Sequence, residues 1–89
     1  MVCKRWILSG RVQGVGFRHF VKTIGLMFKL EGYVRNLPDG TVEVVAQGEE
    51  DKVRELKKLL IRGNGFSRLE DIEEDDFPIS NYGSFHIEY

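Results

Sequence analysis

Two segments with helical hydrophobic periodicity, separated by a pair of short extended segments, constrain the fold of this chain more than any other feature. Apolar residues recur at i, i+3, i+4 and i+7 spacing from Phe17 to about Leu30. The segment 48–63 opens with acidic residues and closes with basic residues before a glycine, which suits the helix dipole at both ends. Its apolar stripe consists of Val53, Leu56 and Leu60. The sequence therefore predicts two amphipathic helices, each with one face to bury.

Extended segments flank both helices. Strand-like segments rich in β-formers or alternating in polarity are 4–12, 31–36, 41–47, 67–75 and 83–89. The second and third are joined by the sequence LPDG, in which Pro38 fixes φ and Gly40 permits a positive φ, so they form a hairpin. A loop that contains Pro78 separates the last two, and we expect one of them to be a short edge strand.

The order β-α-β-β-α-β predicts an α+β fold of the ferredoxin-like, split β-α-β type, with two helices packed on one face of an antiparallel or mixed sheet. We expect a single domain over residues 1–89. A right-handed crossover between parallel first and second strands brings the end of strand one, at Val12, and the end of strand two, at Asn36, to the same sheet edge. Ligands of α/β sheets bind beyond such strand ends.

Composition limits the partners of this fold. The chain has 13 basic and 14 acidic residues and a net charge of −1, so no overall field attracts nucleic acid or an anionic membrane. Its apolar runs are far shorter than the roughly 20 residues of a membrane span. Cys3 is the single cysteine and the first residues lack a signal-peptide pattern. We expect a cytoplasmic monomer with no nucleic-acid or membrane partner.

The loop between strand one and the first helix carries a candidate anion site. Consecutive backbone amides at a helix N-terminus can form a concave nest around a tetrahedral anion such as a phosphoryl group. Arg18 adds a planar, charged fork of donors. The candidate phosphate-binding residues are Gln13, Gly14, Val15, Gly16, Phe17 and Arg18.

Asn36 is the second candidate catalytic residue. Its amide offers a donor and an acceptor in fixed geometry, so it can hold a water molecule in line with the phosphorus without taking a proton. The loop has no nucleophilic cysteine, second arginine or metal-binding set of carboxylates. This set of groups favours an activated phosphate over an alkyl phosphate ester as the substrate. We expect no metal or cofactor, and we expect inorganic phosphate and sulfate to compete for the site.

The segments LSGRVQGVGFR and GYVRNLPDGTVEVVAQG resemble the two signature motifs of the acylphosphatases. The resemblance implies hydrolysis of the carboxyl–phosphate bond of small acyl phosphates, such as acetyl, carbamoyl or glyceroyl phosphate, without metal or cofactor. It implies that Arg18 is the phosphate-binding catalytic arginine, Asn36 the water-orienting asparagine, and residues 14–18 the phosphate cradle. Two positions depart from the family pattern: Gly16, where other members carry bulkier side chains, and Glu88, where several have arginine.

Other classes of protein share parts of this pattern. An RNA-binding domain has the same element order but needs stacking aromatic residues on its third strand and a basic setting, whereas TVEVVAQG has no aromatic residue and the pI is about 6.1. A non-catalytic anion-sensing module stays open as an alternative, with Asn36 then only capping the turn. Acylphosphatase-like domains also begin a larger hydrogenase-maturation protein, but the absence of CxxC pairs leads us to expect a chain that stands alone.

Several chemically suggestive residues are assigned no role. His19 lies off the apolar stripe of the first helix, and His86 lies in an extended segment. The acidic run 70–76 surrounds Ile72 and follows Leu69, a pattern that predicts a solvated strand face rather than a metal site. Cys3 is expected to be an inert small hydrophobic residue.

Overall fold

The computed structural model describes all 89 residues, which form a five-stranded sheet with two α-helices packed against it. The elements are β1 (Val2–Arg11), α1 (Phe17–Met27), β2 (Glu31–Asn36), β3 (Val42–Gly48), α2 (Glu50–Arg62), β4 (Arg68–Asp76) and β5 (His86–Ile87). The sheet order is β4-β1-β3-β2-β5, with β2 and β5 parallel and the other neighbours antiparallel. The predicted ferredoxin-like α+β fold is confirmed, and β5 is the short edge strand. Neither helix is long and apolar enough to cross a membrane.

The central strand β3 brings the ends of β1 and β2 together. Both strands pair antiparallel with β3, so they run parallel to each other with β3 between them. Leu8 of β1 and Asn36 of β2 are both opposite Val42, which places the three residues in one row across the sheet. The carboxyl ends of β1 and β2 therefore meet at one sheet edge, as the sequence predicts.

The core lies between the helices and one face of the sheet. Because side chains alternate along a strand, β1 and β3 present every second residue to the helices. The predicted stripe of α2 is buried there. The largest fully buried side chains of this core are Trp6, Leu8, Phe17, Leu56, Leu60 and Phe85. Complete burial of such side chains stabilises the fold by about 1.5–3 kcal/mol each.

The first helix is shorter than its periodicity predicts. It ends at Met27 rather than Leu30, because Lys29 adopts a left-handed φ of 57° and the Leu30 amide donates to the Gly25 carbonyl at 2.9 Å. This reversal buries Leu30 and leaves Met27 exposed. Gly25 is required where it stands, because a Cβ there would lie 2.3 Å from Cγ of Phe85.

The strand β3 is buried on both faces, although its polar residues predict one solvated face. Glu43 and Gln47 are 2% and 3% exposed. Glu43 accepts hydrogen bonds from Arg5 Nε at 2.5 Å and Arg35 Nε at 2.6 Å. Gln47 exchanges two hydrogen bonds with the backbone of Ser80, so the segment before β5 covers this face. A polar residue in a central strand is thus paired rather than solvated.

Candidate active site

The backbone between β1 and α1 opens the N-terminus of α1 to a ligand. Gly14 and Gly16 adopt left-handed φ angles of 73° and 75°, and Gly16 is the N-cap of α1. The first helical hydrogen bond is from Phe20 N to Gly16 O at 3.2 Å, and no backbone amide of residues 13–19 donates a hydrogen bond within the protein. These open amides lie at the positive end of the helix dipole. Local charge and geometry here suit an anion.

Arg18 stands at the wall of a cleft above these amides. The cleft has a volume of about 180 Å³. It is lined by Val12, Gly14, Gly16, Phe17, Arg18, His19, Ile87 and Tyr89. The Arg18 guanidinium makes no hydrogen bond or ion pair, and its Cζ lies 5.4 Å from the centroid of the Tyr89 ring. The cation lies near the ring of Tyr89, a side chain that is 98% exposed, and its donors stay available.

Asn36 carries an uncommitted acceptor on the same side of the sheet. It is the last residue of β2 and follows the buried core residue Val34 at strand spacing, so both side chains belong to the helix face. Its Oδ1 atom is buried and has no hydrogen-bond partner within the protein. A buried unpaired acceptor costs about 1–3 kcal/mol, and a water molecule or a ligand that supplies the partner would remove this cost.

The turn after β2, residues 37–41, is closed by hydrogen bonds that do not involve the Asn36 side chain. Asp39 accepts hydrogen bonds from the Thr41 amide and hydroxyl at 3.0 and 2.6 Å, and Leu37 N donates to Thr41 O at 2.9 Å. These contacts close the turn without Asn36. The anion-sensing alternative, in which Asn36 only caps the turn, has no hydrogen bond from this side chain to support it.

Strand register connects Asn36 with the cleft, although Asn36 is not among the lining residues. Val34 of β2 pairs with Ile87 of β5 in the parallel register, and Glu88 N donates to Val34 O at 2.9 Å. Two residues further along, Asn36 is level with Tyr89. Because Ile87 lines the cleft and pairs with Val34, the strand that ends at Asn36 lies next to the strand that borders the cleft.

Gln13 joins the two motifs through its side chain. Its Nε2 atom donates to Leu37 O at 3.0 Å and Thr41 O at 2.8 Å, both in the turn after β2. The Gln13 and Val15 side chains do not line the cleft. Gln13 thus ties the loop to the turn beyond Asn36, while its backbone amide remains open.

Three contributors to the site carry no local sequence signal. Ile87 and Tyr89 line the cleft from the opposite end of the chain. Asn64, in the loop after α2, donates from Nδ2 to the Val15 carbonyl at 2.9 Å, across 49 positions of sequence. Sequence periodicity does not report such contacts, because they depend on how distant elements pack.

The residues assigned no role do not line the cleft, with the exception of His19, which is exposed there. Cys3 is buried, and burial raises the pKa of its thiol. The backbone carbonyl of Ser84 and the Glu88 carboxylate face the two ring nitrogens of His86, and these contacts raise its pKa. The acidic run lies on the edge strand β4, where Glu74 pairs with Lys57 at 2.8 Å and accepts a hydrogen bond from Trp6 at 2.8 Å.

Fold and site together define a small α+β sandwich with open backbone amides and an arginine at the start of its first helix. The acylphosphatase family model matches residues 4–87, and the chain belongs to this family. It is 73% identical to the acylphosphatase of Petrotoga mobilis over 89 residues, the full length of both chains. The crystal structure of acylphosphatase from Bacillus subtilis superposes with a TM-score of 0.95 at 38% identity and covers 100% of both chains.

A second solved structure, of an acylphosphatase from Coxiella burnetii, superposes with a TM-score of 0.92 at 32% identity over 98% of this chain and 92% of that chain. The family assignment makes the chain a hydrolase that acts on acyl phosphates. None of these similarities supports the anion-sensing alternative.

Proposed function

We propose that the chain hydrolyses small-molecule acyl phosphates at the loop 13–18, with Arg18 and Asn36 as its catalytic residues. The observation that carries this proposal is the combination of open amides over residues 13–19 with a buried, partnerless Asn36 oxygen on the same side of the sheet. One feature suits the phosphoryl group and the other suits the attacking water.

The phosphoryl group is held by the amides of residues 14–18 and by the Arg18 fork. These donors are fixed by the backbone before substrate arrives, so they cost little reorganisation as charge develops on the phosphoryl oxygens. The arginine fork spreads its donors over two oxygens in the same plane. Gln13 contributes its backbone amide and holds the loop against the turn.

Asn36 positions the water. A water molecule that donates to the Asn36 Oδ1 atom satisfies the buried acceptor and turns its own lone pair toward the phosphorus. The water oxygen forms the new bond to phosphorus as the bond to the acyl oxygen breaks, and the proton it loses passes to a phosphoryl oxygen. The products are a carboxylate and inorganic phosphate. A carboxylate is a weak base, so it leaves without a proton from the protein.

The same proposal covers the finer properties of the enzyme. The loop supplies the positive charge, so inorganic phosphate and sulfate compete with substrate and no metal or cofactor takes part. The chain acts as a single domain and a monomer in the cytoplasm, without a nucleic-acid or membrane partner. The nearly neutral charge balance of 13 basic against 14 acidic residues supports the choice of a small ligand.

The test is phosphate release from benzoyl phosphate in excess EDTA, with wild type, Asn36→Ala and Arg18→Gln. We expect wild-type turnover to survive chelation. Asn36→Ala lowers kcat by about 10² while the Ki of inorganic phosphate stays near wild type, because water positioning is lost and anion binding is kept. Arg18→Gln loses both turnover and phosphate binding.

Asn81→Ala, at an exposed loop position, is the matched control for loss of an asparagine side chain. Thermal melts of all variants separate folding from activity. A wild-type kcat in Asn36→Ala would contradict the water-positioning role, as would a rise in phosphate Ki equal to that of Arg18→Gln. Loss of wild-type activity in EDTA, with recovery on addition of Mg²⁺, would overturn the metal-free mechanism.

A further inference from the structure

We propose that Asn64 is a positioning residue that aims the Gly16 amide into the phosphate-binding loop. The proposal rests on the proposed function of that loop. Asn64 itself belongs to the loop between α2 and β4, which no part of the catalytic scheme above requires.

The contact is a single directed hydrogen bond. Asn64 Nδ2 donates to the Val15 carbonyl oxygen at 2.9 Å. A Cβ placed on Gly16 would lie 3.9 Å from the same nitrogen, so the Asn64 amide lies directly behind the Val15–Gly16 peptide. The α2–β4 loop thus supports the phosphate-binding loop from its rear.

Because the peptide bond is planar, the hydrogen bond from Asn64 to the Val15 carbonyl also determines the direction of the Gly16 N–H. The chain has no cis peptide bond, and in a trans peptide the carbonyl oxygen and the following N–H point in opposite directions. Because Asn64 holds the Val15 carbonyl on its own side, the Gly16 N–H points the other way. Gly16 lines the cleft, and its amide has no partner in the protein. The bond from Asn64 therefore fixes one donor of the cradle.

The peptide needs such a restraint because glycines flank Val15 on both sides. Gly14 and Gly16 have left-handed φ angles of 73° and 75°, and glycine reaches several backbone regions at little cost. A flipped Val15–Gly16 peptide would present a carbonyl oxygen to the anion instead of an N–H. The Asn64 bond opposes that flip.

Asn64 is itself held rigidly. Its Oδ1 atom accepts from Phe66 N at 3.0 Å and Ser67 N at 2.8 Å, and its own backbone amide donates to Ser67 Oγ at 3.2 Å. One side of the amide thus closes the α2–β4 loop while the other reaches Val15. Asparagine supplies both an acceptor and a donor at this distance, and aspartate would supply only acceptors.

The experiment compares Asn64→Ser with Ser67→Ala. A serine at position 64 keeps an oxygen that can accept from the loop amides, but it is too short to reach Val15. Ser67→Ala removes a hydrogen bond of the same loop and leaves the Val15 contact in place. We expect Asn64→Ser to raise the Ki of inorganic phosphate and the KM for benzoyl phosphate about fivefold to tenfold, the effect of one lost donor. Ser67→Ala lowers thermal stability with both constants within twofold of wild type.

An amide NMR spectrum gives a readout that loop stability alone does not move. Addition of inorganic phosphate shifts the Gly16 N–H resonance in wild type and in Ser67→Ala, and this shift is strongly reduced in Asn64→Ser. The NMR measurement does not depend on turnover, so it separates failure of this proposal from failure of the catalytic proposal.

Two outcomes would overturn the role of Asn64: a phosphate Ki in Asn64→Ser within twofold of wild type, or an equal rise in Ser67→Ala. If Asn64→Ser does not fold, Asn64→Asp replaces it, since aspartate keeps both loop acceptors and lacks the donor. Because position 64 is half-buried, the Ki measurement is repeated at 1 M salt to reduce the effect of the added charge. A wild-type Ki for Asn64→Asp under those conditions also contradicts the proposal.

Discussion

The two helices of this protein begin in opposite ways. Helix α1 has Gly16 in the left-handed region at its N-cap and no acidic residue in its first turn, whereas α2 has Glu49 in extended conformation at its N-cap and Glu50 and Asp51 in its first turn. Neither helix has a hydrogen bond from an N-cap side chain. Charge and backbone shape, rather than capping, therefore distinguish them.

The difference explains why only one helix start is a candidate phosphate site. Both N-termini carry the same partial positive charge from the helix dipole. In α2 the protein supplies the compensating negative charge itself, and Arg54 pairs with Glu50 at 2.8 Å. In α1 the first turn adds the positive charge of Arg18 instead, which makes this helix start the one suited to an external anion.

Arg18→Lys should have the largest effect on the difference between the two helix starts. Lysine keeps the positive charge at α1 but lacks the planar guanidinium group. We expect kcat/KM for benzoyl phosphate to fall by roughly 10² or more, which corresponds to about 3 kcal/mol of lost transition-state stabilisation. Arg54→Lys makes the same exchange at the start of α2 and should leave kcat/KM unchanged. An Arg18→Lys enzyme within a few-fold of wild type would remove the guanidinium from the mechanism.

The free energy of unfolding should depend on acid pH through Glu43 in the sheet rather than through a group at either helix start. Burial of the Glu43 carboxyl acts to raise its pKa, but hydrogen bonds from Arg5 and Arg35 outweigh burial and hold the pKa below its usual range. A depressed folded-state pKa means that stability from ionised Glu43 is fully present above about pH 5 and is lost as pH falls through the folded pKa.

Glu43→Gln should therefore cost about 2 kcal/mol at pH 7, the scale of a lost charge-assisted hydrogen bond. Urea unfolding at pH 7 and pH 3 measures this effect, and the difference between wild type and variant should shrink at pH 3. An unchanged difference across that range would show that Glu43 does not contribute through its charge.

His19→Glu should make α1 resemble α2 by placing an acid in its first turn. His19 is exposed and lines the cleft, so the new carboxylate would compete with the anion for the open amides. We expect the Ki of inorganic phosphate to rise about tenfold, or about 1.4 kcal/mol, with thermal stability kept or slightly raised. His19→Gln is the uncharged control of similar size. Equal Ki values for the two variants would show that charge at this turn does not govern anion binding.

Local sequence features predict a large part of the fold and site. The stripe of α2, the bounds of β2 and the hairpin follow from periodicity and from Pro38 and Gly40, because these features act over a few residues. The loop 13–18 and Asn36 can also be recognised from local sequence. The hydrogen-bonding capacity of backbone amides, an arginine and an asparagine follows from residue type and does not depend on distant contacts. Their catalytic roles stay predictions.

The contacts between residues that are distant in the sequence were evident only from the tertiary structure. Leu30 is buried among core residues of other elements, and the burial of Glu43 depends on arginines from two other strands. The contact of Asn64 with Val15 and the cleft wall at Ile87 and Tyr89 arise between elements that are far apart in the sequence. Periodicity reports which face of an element is buried, whereas packing and register determine which distant residue it meets.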